Sequence, residues 1–213
     1  MRGKDFSIVE MLPHKLNDPY KWKKGIVFVN AFSDFMHEKV TDEFRDRQLE
    51  VMRKNPQLTF ITLTKRPVSL WRYMQRGDMH LTENMWWGVS VESGNYLWRW
   101  ANLLQMAEGR DITNLLISFE PLLEGIPRSD LISYRVSDAQ WIIVGGESDY
   151  SNPRPMHPSW AKEIRDLTRD FKIPFFFKQN GGSVKCECHG SWGCCLLDGQ
   201  EHHEFPEDMR GGE

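Results

Sequence analysis

The chain has 213 residues, 40% of them hydrophobic, with 27 basic and 30 acidic side chains for a formal net charge of −3; that composition supports a full core and excludes a disordered or fibrous chain. A pI near 6.2 argues against retention on nucleic acid by bulk charge, although it leaves room for a local basic patch. No apolar run approaches the roughly 20 residues that cross a bilayer, and Met1-Arg2-Gly3-Lys4-Asp5 is not the start of a signal peptide, so the expectation is a cytoplasmic protein without membrane contact.

Six short runs rich in Val, Ile and Phe, at 26–30, 58–64, 85–91, 114–119, 141–144 and 174–177, alternate with stretches of helical period. That alternation is the signature of βα units around a parallel sheet. After the first run, Thr41-Asp42-Glu43 offers an N-cap and an acidic first turn. Phe44, Leu49 and Met52 form the apolar stripe of that helix, and Asn55-Pro56 ends it. A second helix is expected from Arg66-Pro67 to Gly77. A third runs from about Asn95 to Glu108, with Leu97, Trp100, Leu104 and Met106 inward and Gly109 at its C′ position. The last starts near His157-Pro158-Ser159, turns Trp160, Ile164 and Leu167 inward, and closes before Ile173-Pro174. Every connection is long enough for a parallel crossover.

Continuous apolar runs such as Ile26-Val27-Phe28-Val29 and Trp141-Ile142-Ile143-Val144 read as strands buried on both faces. Six such units fit an open doubly wound sheet or a barrel, complete or partial, and the nine tryptophans read as large core side chains. Composition changes after Gly181-Gly182. The expected division is therefore an α/β barrel-like domain over 1–182 and a Cys/His-rich tail over 183–213.

In parallel α/β folds the site lies at the carboxyl ends of the strands. All six runs end on polar residues: Asn30, Ser33 and Asp34, with His37 beyond; Thr64, Lys65 and Arg66; Ser90 and Glu92; Ser118 and Glu120; Gly145, Gly146 and Glu147, then Arg154 and His157; Lys178 and Gln179. Helix capping is the plainer reading of Ser33, Asp34 and Ser159. Glu92, Glu120, Glu147 and Lys178 lie within a residue or two of very apolar runs and need partners there. Lys65, Arg66, Arg154 and Lys178 can supply the charge compensation. These residues form the candidate ligand-binding rim. Asp34, His37 and His157 are the candidate catalytic residues, because an imidazole titrates near neutrality; for each histidine a structural role is the more ordinary reading. Gly145-Gly146 lets a backbone approach a ligand closely but lacks the full dinucleotide fingerprint. The sequence has no nucleophile elbow, P-loop or HExxH pattern.

All four cysteines fall between 186 and 195, a spacing unlike a disulfide framework. Cys186, Cys188, His189 and Cys194 or Cys195 form a compact set of soft ligands suited to tetrahedral zinc. The spacing is not the paired CxxC of zinc ribbons, so plain thiols and a redox or iron-sulfur role stay open beside structural zinc. His202 and His203 are reserve ligands.

Several segments together, in order, carry a resemblance. They are Val29-Asn30-Ala31-Phe32-Ser33-Asp34-Phe35-Met36-His37-Glu38, Leu63-Thr64-Lys65-Arg66-Pro67, Trp87-Gly88-Val89-Ser90-Val91-Glu92, Ser118-Phe119-Glu120-Pro121-Leu122, Val144-Gly145-Gly146-Glu147-Ser148, Arg154-Pro155-Met156-His157 and Phe177-Lys178-Gln179-Asn180-Gly181-Gly182, with Leu196-Leu197-Asp198-Gly199 in the tail. From about Phe6 to Pro206 the chain resembles the phage Gp37/Gp68 family (DUF5131), which looks like a divergent radical SAM group. The resemblance implies a partial (β/α) TIM-type barrel of the radical SAM kind, about six units long, with the short Cys/His-rich tail appended. It also implies S-adenosylmethionine and a [4Fe-4S] cluster held by three cysteines after the first strand. That three-cysteine segment belongs upstream of the region matching Phe6, and no cysteine of this sequence matches a cluster ligand. The expectation is thus an incomplete product, a short form without the cluster, or a barrel completed by a partner chain. The implied function is modification of a polar, nucleotide-like or nucleic-acid substrate. The alternative is a non-catalytic ligand-binding or scaffold barrel with structural zinc in its tail.

Overall fold

A computed structural model describes residues 8–31, 33–76, 80–110, 112–149, 151–186, 190 and 192–209. Six strands alternate with helices, in the hydrogen-bonded order β1 (Gly25–Val29), β2 (Leu58–Thr64), β3 (Met85–Ser90), β4 (Leu115–Phe119), β5 (Trp141–Gly145), β6 (Phe175–Gln179). The order follows the chain without a reversal. It therefore lacks the switch point of a doubly wound sheet and has the single winding sense from which (β/α) barrels are built. The chain divides inside β3 into two compact units, Met1–Trp87 and Gly88–Glu213. Among the described residues, no helix is long and apolar enough to cross a membrane.

In the first unit, 3-10 turns at Pro13–Asn17 and Pro19–Lys21 lead into β1, which pairs in parallel with β2 from Gly25↔Leu58 to Val29↔Thr62. Helix α1 (Asp42–Arg53) begins as expected: Thr41 Oγ1 accepts the Phe44 N–H at 3.3 Å, and Asp42 and Glu43 face the positive end of the helix dipole. Helix α2 (Pro67–Met74) starts at Pro67 but stops short of Gly77. Phe35 packs edge-on against Tyr73 and Trp87, with ring centres 6.2 and 5.7 Å away. Arg45 is buried and ties the chain before α1 down, donating to Phe35 O at 2.9 Å and His37 O at 2.7 Å. One expectation is corrected. Ile26 and Phe28 of β1 are 37% and 44% exposed, because β1 ends the strand order and its burial alternates along the strand.

In the second unit, β4 and β5 are buried throughout, as their continuous apolar runs require. β4, β5 and β6 pair in parallel, with a register shift between Val144 and Gly145. Helix α3 (Trp98–Glu108) follows a 3-10 turn at Gly94–Tyr96 and buries Trp100, Leu104 and Met106, with Leu97 buried just before it. Gly109 is its C-cap with φ −79°, not the left-handed C′ residue expected. Helix α4 (Arg128–Ser133) had no sequence signal, being only six residues long and closing on Leu131 alone. Helix α5 (Pro158–Phe171) is capped by His157, whose side chain accepts the Ser159 N–H. The cap expected at Ser159 is thus supplied two residues earlier, and Trp160 is only half-buried.

The described residues beyond 182 belong to this second unit. After the short antiparallel pair β7 (Leu196–Leu197) and β8 (Gln200–Glu201), the chain runs back along β6. The Phe177 N–H donates to His202 O at 2.7 Å and the Glu204 N–H to Phe175 O at 3.1 Å, with Phe176 and His203 bridged antiparallel. Trp141 Nε1 donates to Glu204 O at 2.9 Å, and the His203 ring stacks on Phe176 at 4.7 Å.

Candidate functional site

In the first unit the carboxyl ends of β1 and β2 meet at Asp34. Its Oδ1 accepts the Thr64 hydroxyl at 2.7 Å and the Met36 N–H at 2.8 Å. Its Oδ2 accepts the Lys65 N–H at 3.0 Å and pairs with Arg66 at 2.9 Å. Asp34 is therefore a staple between two strand ends and no helix cap. Asn30, left-handed at φ 59°, donates to Ser33 Oγ at 3.0 Å and accepts from Gln48 at 3.1 Å; Ser33 caps no helix either. His37 Nδ1 accepts the Lys39 N–H at 3.1 Å, a local turn contact. The structure thus gathers Asn30, Ser33, Asp34, Thr64, Lys65 and Arg66 into one polar cluster.

In the second unit three carboxylates stand at the ends of β3, β4 and β5, each beside a cation. Glu120 pairs with Lys178 Nζ at 3.1 Å and accepts the Ser118 hydroxyl at 3.0 Å. Glu147 is gripped by Arg154, whose backbone N–H and Nε both donate to Oε2 at 2.8 Å. Those bonds hold the Glu147 carboxyl at about 2, well below its usual range. A carboxylate so acidic is a poor proton acceptor at neutral pH, so Glu147 is not suited to act as a general base.

Glu92 was expected to draw on the loop cations. It pairs instead with Arg99 of α3 at 2.7 Å, both side chains nearly buried, and Arg99 also donates to Ser90 O at 2.8 Å. The signal for Arg99 was its place beside Trp100 on the inward face of α3. Glu92 still acts electrostatically on Arg154. Two buried polar atoms of this region, Arg99 Nε and Asn180 Oδ1, have no hydrogen-bond partner. His157 caps α5, as described, with its Nδ1 2.6 Å from Ser159 Oγ.

Glycines set the spacing of this rim. A Cβ on Gly145 would stand 2.5 Å from Glu120 Oε1, and one on Gly146 would stand 1.9 Å from Asn180 O. A Cβ on Gly181, at φ +80°, would stand 2.3 Å from Glu147 O. The Gly146 N–H donates to Gln179 O at 2.9 Å and the Gly182 N–H to Glu147 O at 2.8 Å, while Gln179 Nε2 bonds Ser148 Oγ. Gly145, Gly146, Glu147 and Gln179 are thereby locked in register. Asn180 and Gly181, absent from the sequence-based set, belong to the same lock.

Of the candidate metal ligands, Cys188 and His189 lie outside the described residues. The Gly193 N–H donates to Val184 O at 2.8 Å, and Lys185 bridges Trp192. The Leu196 N–H donates to Cys194 Sγ at 3.3 Å. Cys195 points into the core, and burial pushes its thiol pKa up. Among the described residues, no group of three or more His, Cys, Asp or Glu side chains is placed to hold an ion.

Acidic and basic side chains thus alternate along the second-unit rim, as the pairs Glu120–Lys178 and Glu147–Arg154. In comparison with known proteins, residues 3–206 fit the family model described as protein of unknown function (DUF5131). No curated protein and no solved structure matches the chain.

Proposed function

The chain belongs to the DUF5131 family, and from that premise we propose that the rim of its second unit binds a zwitterionic, nucleotide-type ligand of the S-adenosylmethionine class. This is the ligand expected of a radical-SAM-like member of the phage Gp37/Gp68 kind. The observation that supports the reading is the side-by-side placement of Glu120–Lys178 and Glu147–Arg154 at consecutive strand ends. Together they offer one exchangeable partner for each sign of charge on such a ligand. An incoming carboxylate takes Lys178 from Glu120, and the released Glu120 takes the ligand ammonium, so the binding conserves ion pairs.

The residues do not fit a [4Fe-4S] cluster at the end of the first strand. Residues 30–40 contain no cysteine, and the described cysteines lie beyond β6, one of them with its thiol buried. No radical step is derived through these side chains. Calorimetric titration with S-adenosylmethionine tests the binding. Saturable binding is expected, with Lys178→Met and Glu120→Gln each weakening it roughly tenfold, the value of one charge-assisted hydrogen bond. No heat at millimolar ligand, or equal binding by both variants, overturns the reading.

A second reading, the ligand-binding barrel with structural zinc in its tail, is supported by the Leu196 N–H bond to Cys194 Sγ, the kind of outer-shell contact that orients a metal ligand. Cys186 and Cys194 are two of the candidate donors, beside Cys188, His189 and Cys195. Metal analysis of protein purified without added metal is expected to find about one zinc per chain, the content of one tetrahedral site. That zinc should be lost in Cys194→Ser. Iron with acid-labile sulfide, or no metal, rules the zinc tail out.

A further inference from the structure

The net charge of −3 conceals an uneven distribution. Residues 1–87 carry fifteen basic and eleven acidic side chains, and residues 88–213 carry twelve and nineteen. Within the first unit the excess concentrates just before β1: residues 14–24 hold Lys15, Lys21, Lys23 and Lys24 against Asp18 alone. Lys15 and Lys21 both pair with Asp18, each at 3.2 Å. Between the lysines stand two aromatic rings, Tyr20 and Trp22, which are 49% and 44% exposed.

Those rings project from a fixed backbone. Pro13 and Pro19 open the two 3-10 turns, the Trp22 N–H donates to Pro19 O at 3.0 Å, and Trp22 O accepts from Gln57 at 3.1 Å. The first turn packs against α1, and Tyr20 lies close enough to Lys54 to act on it electrostatically. The surface therefore sits where α1 ends and β1 and β2 begin. The Asp34 cluster is at the other end of the same strands.

We propose that this amino-end surface binds single-stranded nucleic acid, with unpaired bases stacking on Trp22 and Tyr20 and phosphates contacting Lys21, Lys23 and Lys24. The reading is independent of the rim. Exposed rings interleaved with ammonium groups suit a chain that alternates bases with phosphates. A duplex hides its base faces, and an acidic peptide has no stacking partner for two rings. A membrane-binding segment separates its apolar face from its charges; here ring and lysine alternate along the chain.

The test is fluorescence anisotropy with a labelled twenty-nucleotide oligothymidylate and the full chain. Binding at 50 mM salt should weaken with added salt along a log–log slope of about −2, the value for three phosphate contacts on a single strand. Tryptophan emission should fall on binding. Trp22→Ala should reduce affinity roughly fivefold or more while leaving the salt slope unchanged, and Trp22→Phe should restore most of the loss. Lys23→Gln with Lys24→Gln should lower both affinity and slope. Lys178→Met should leave oligonucleotide binding intact, which separates this surface from the rim. The proposal is overturned if nothing binds at 50 mM salt, or if the matching duplex binds as well. It also fails if Trp22→Ala binds like the parent, or if anionic vesicles or a second copy of the chain occupy the surface instead.

Discussion

Glu147 and Arg154 show how a single exposed pair takes on a definite protonation state. Hydrogen bonds from the Arg154 side chain, then from its backbone N–H, lower the carboxyl from an ordinary 4.5 to about 2. The folded form thus prefers the ionised carboxylate more than the unfolded form does. The resulting stability is fully present above pH 4.5 and is lost as the pH falls through about 2. Glu147→Gln should therefore lower Tm at neutral pH, and the gap from the parent should close as the pH approaches 2. The Arg154 side chain is 59% exposed, so solvent screening limits the effect to about 1 kcal/mol. A gap that stays constant down to the acid limit would contradict the assignment. The individual groups of the rim were readable from the sequence; their pairing was not. Glu92 found its cation on a helix seven residues away, a contact decided by how α3 packs.

At the scale of elements, the ends of β5 and β6 approach so closely that only hydrogen fits at Gly146 and Gly181. Gly146→Ala would drive a methyl into the Asn180 carbonyl, a backbone contact with no rotamer to relieve it. A loss of about 2–4 kcal/mol is expected in denaturant unfolding, together with weaker binding of the proposed ligand, because Glu147 shifts with its neighbour. An unchanged midpoint would show that the strand ends can separate. Strand positions were legible because buried parallel strands leave continuous apolar runs, and β2 begins and ends where its run does. The pairing of residues 202–204 with β6 was not. His202, His203 and Glu204 contribute mainly backbone hydrogen bonds, which leave no periodic trace in side-chain identity. Helix α4 was missed for a related reason: one buried leucine makes no stripe.

For the molecule as a whole, alternation of strands and helices indicated the fold class, while strand order had to come from the structure. A run of apolar residues is equally at home in a doubly wound sheet or in a singly wound one, because both bury it between helices. The uneven charge of the two units was present in the sequence but cancelled in the total, since the dividing line inside β3 has no compositional mark. That division is why a pI near 6.2 says little about which partners either unit prefers.

The pairing of residues 202–204 with β6 also sets an order of events during synthesis. The free edge of β6 leaves the ribosome before the segment that covers it, and at roughly 5–20 residues per second the interval is about 1–5 s. During that time a strand containing Phe175, Phe176 and Phe177 presents unpaired backbone to its surroundings. Lys178, exposed on that strand and already assigned to the rim, places a charge next to those aromatics. The same side chain that would meet a ligand in the finished protein thus discourages a neighbouring nascent chain from adding itself to the sheet.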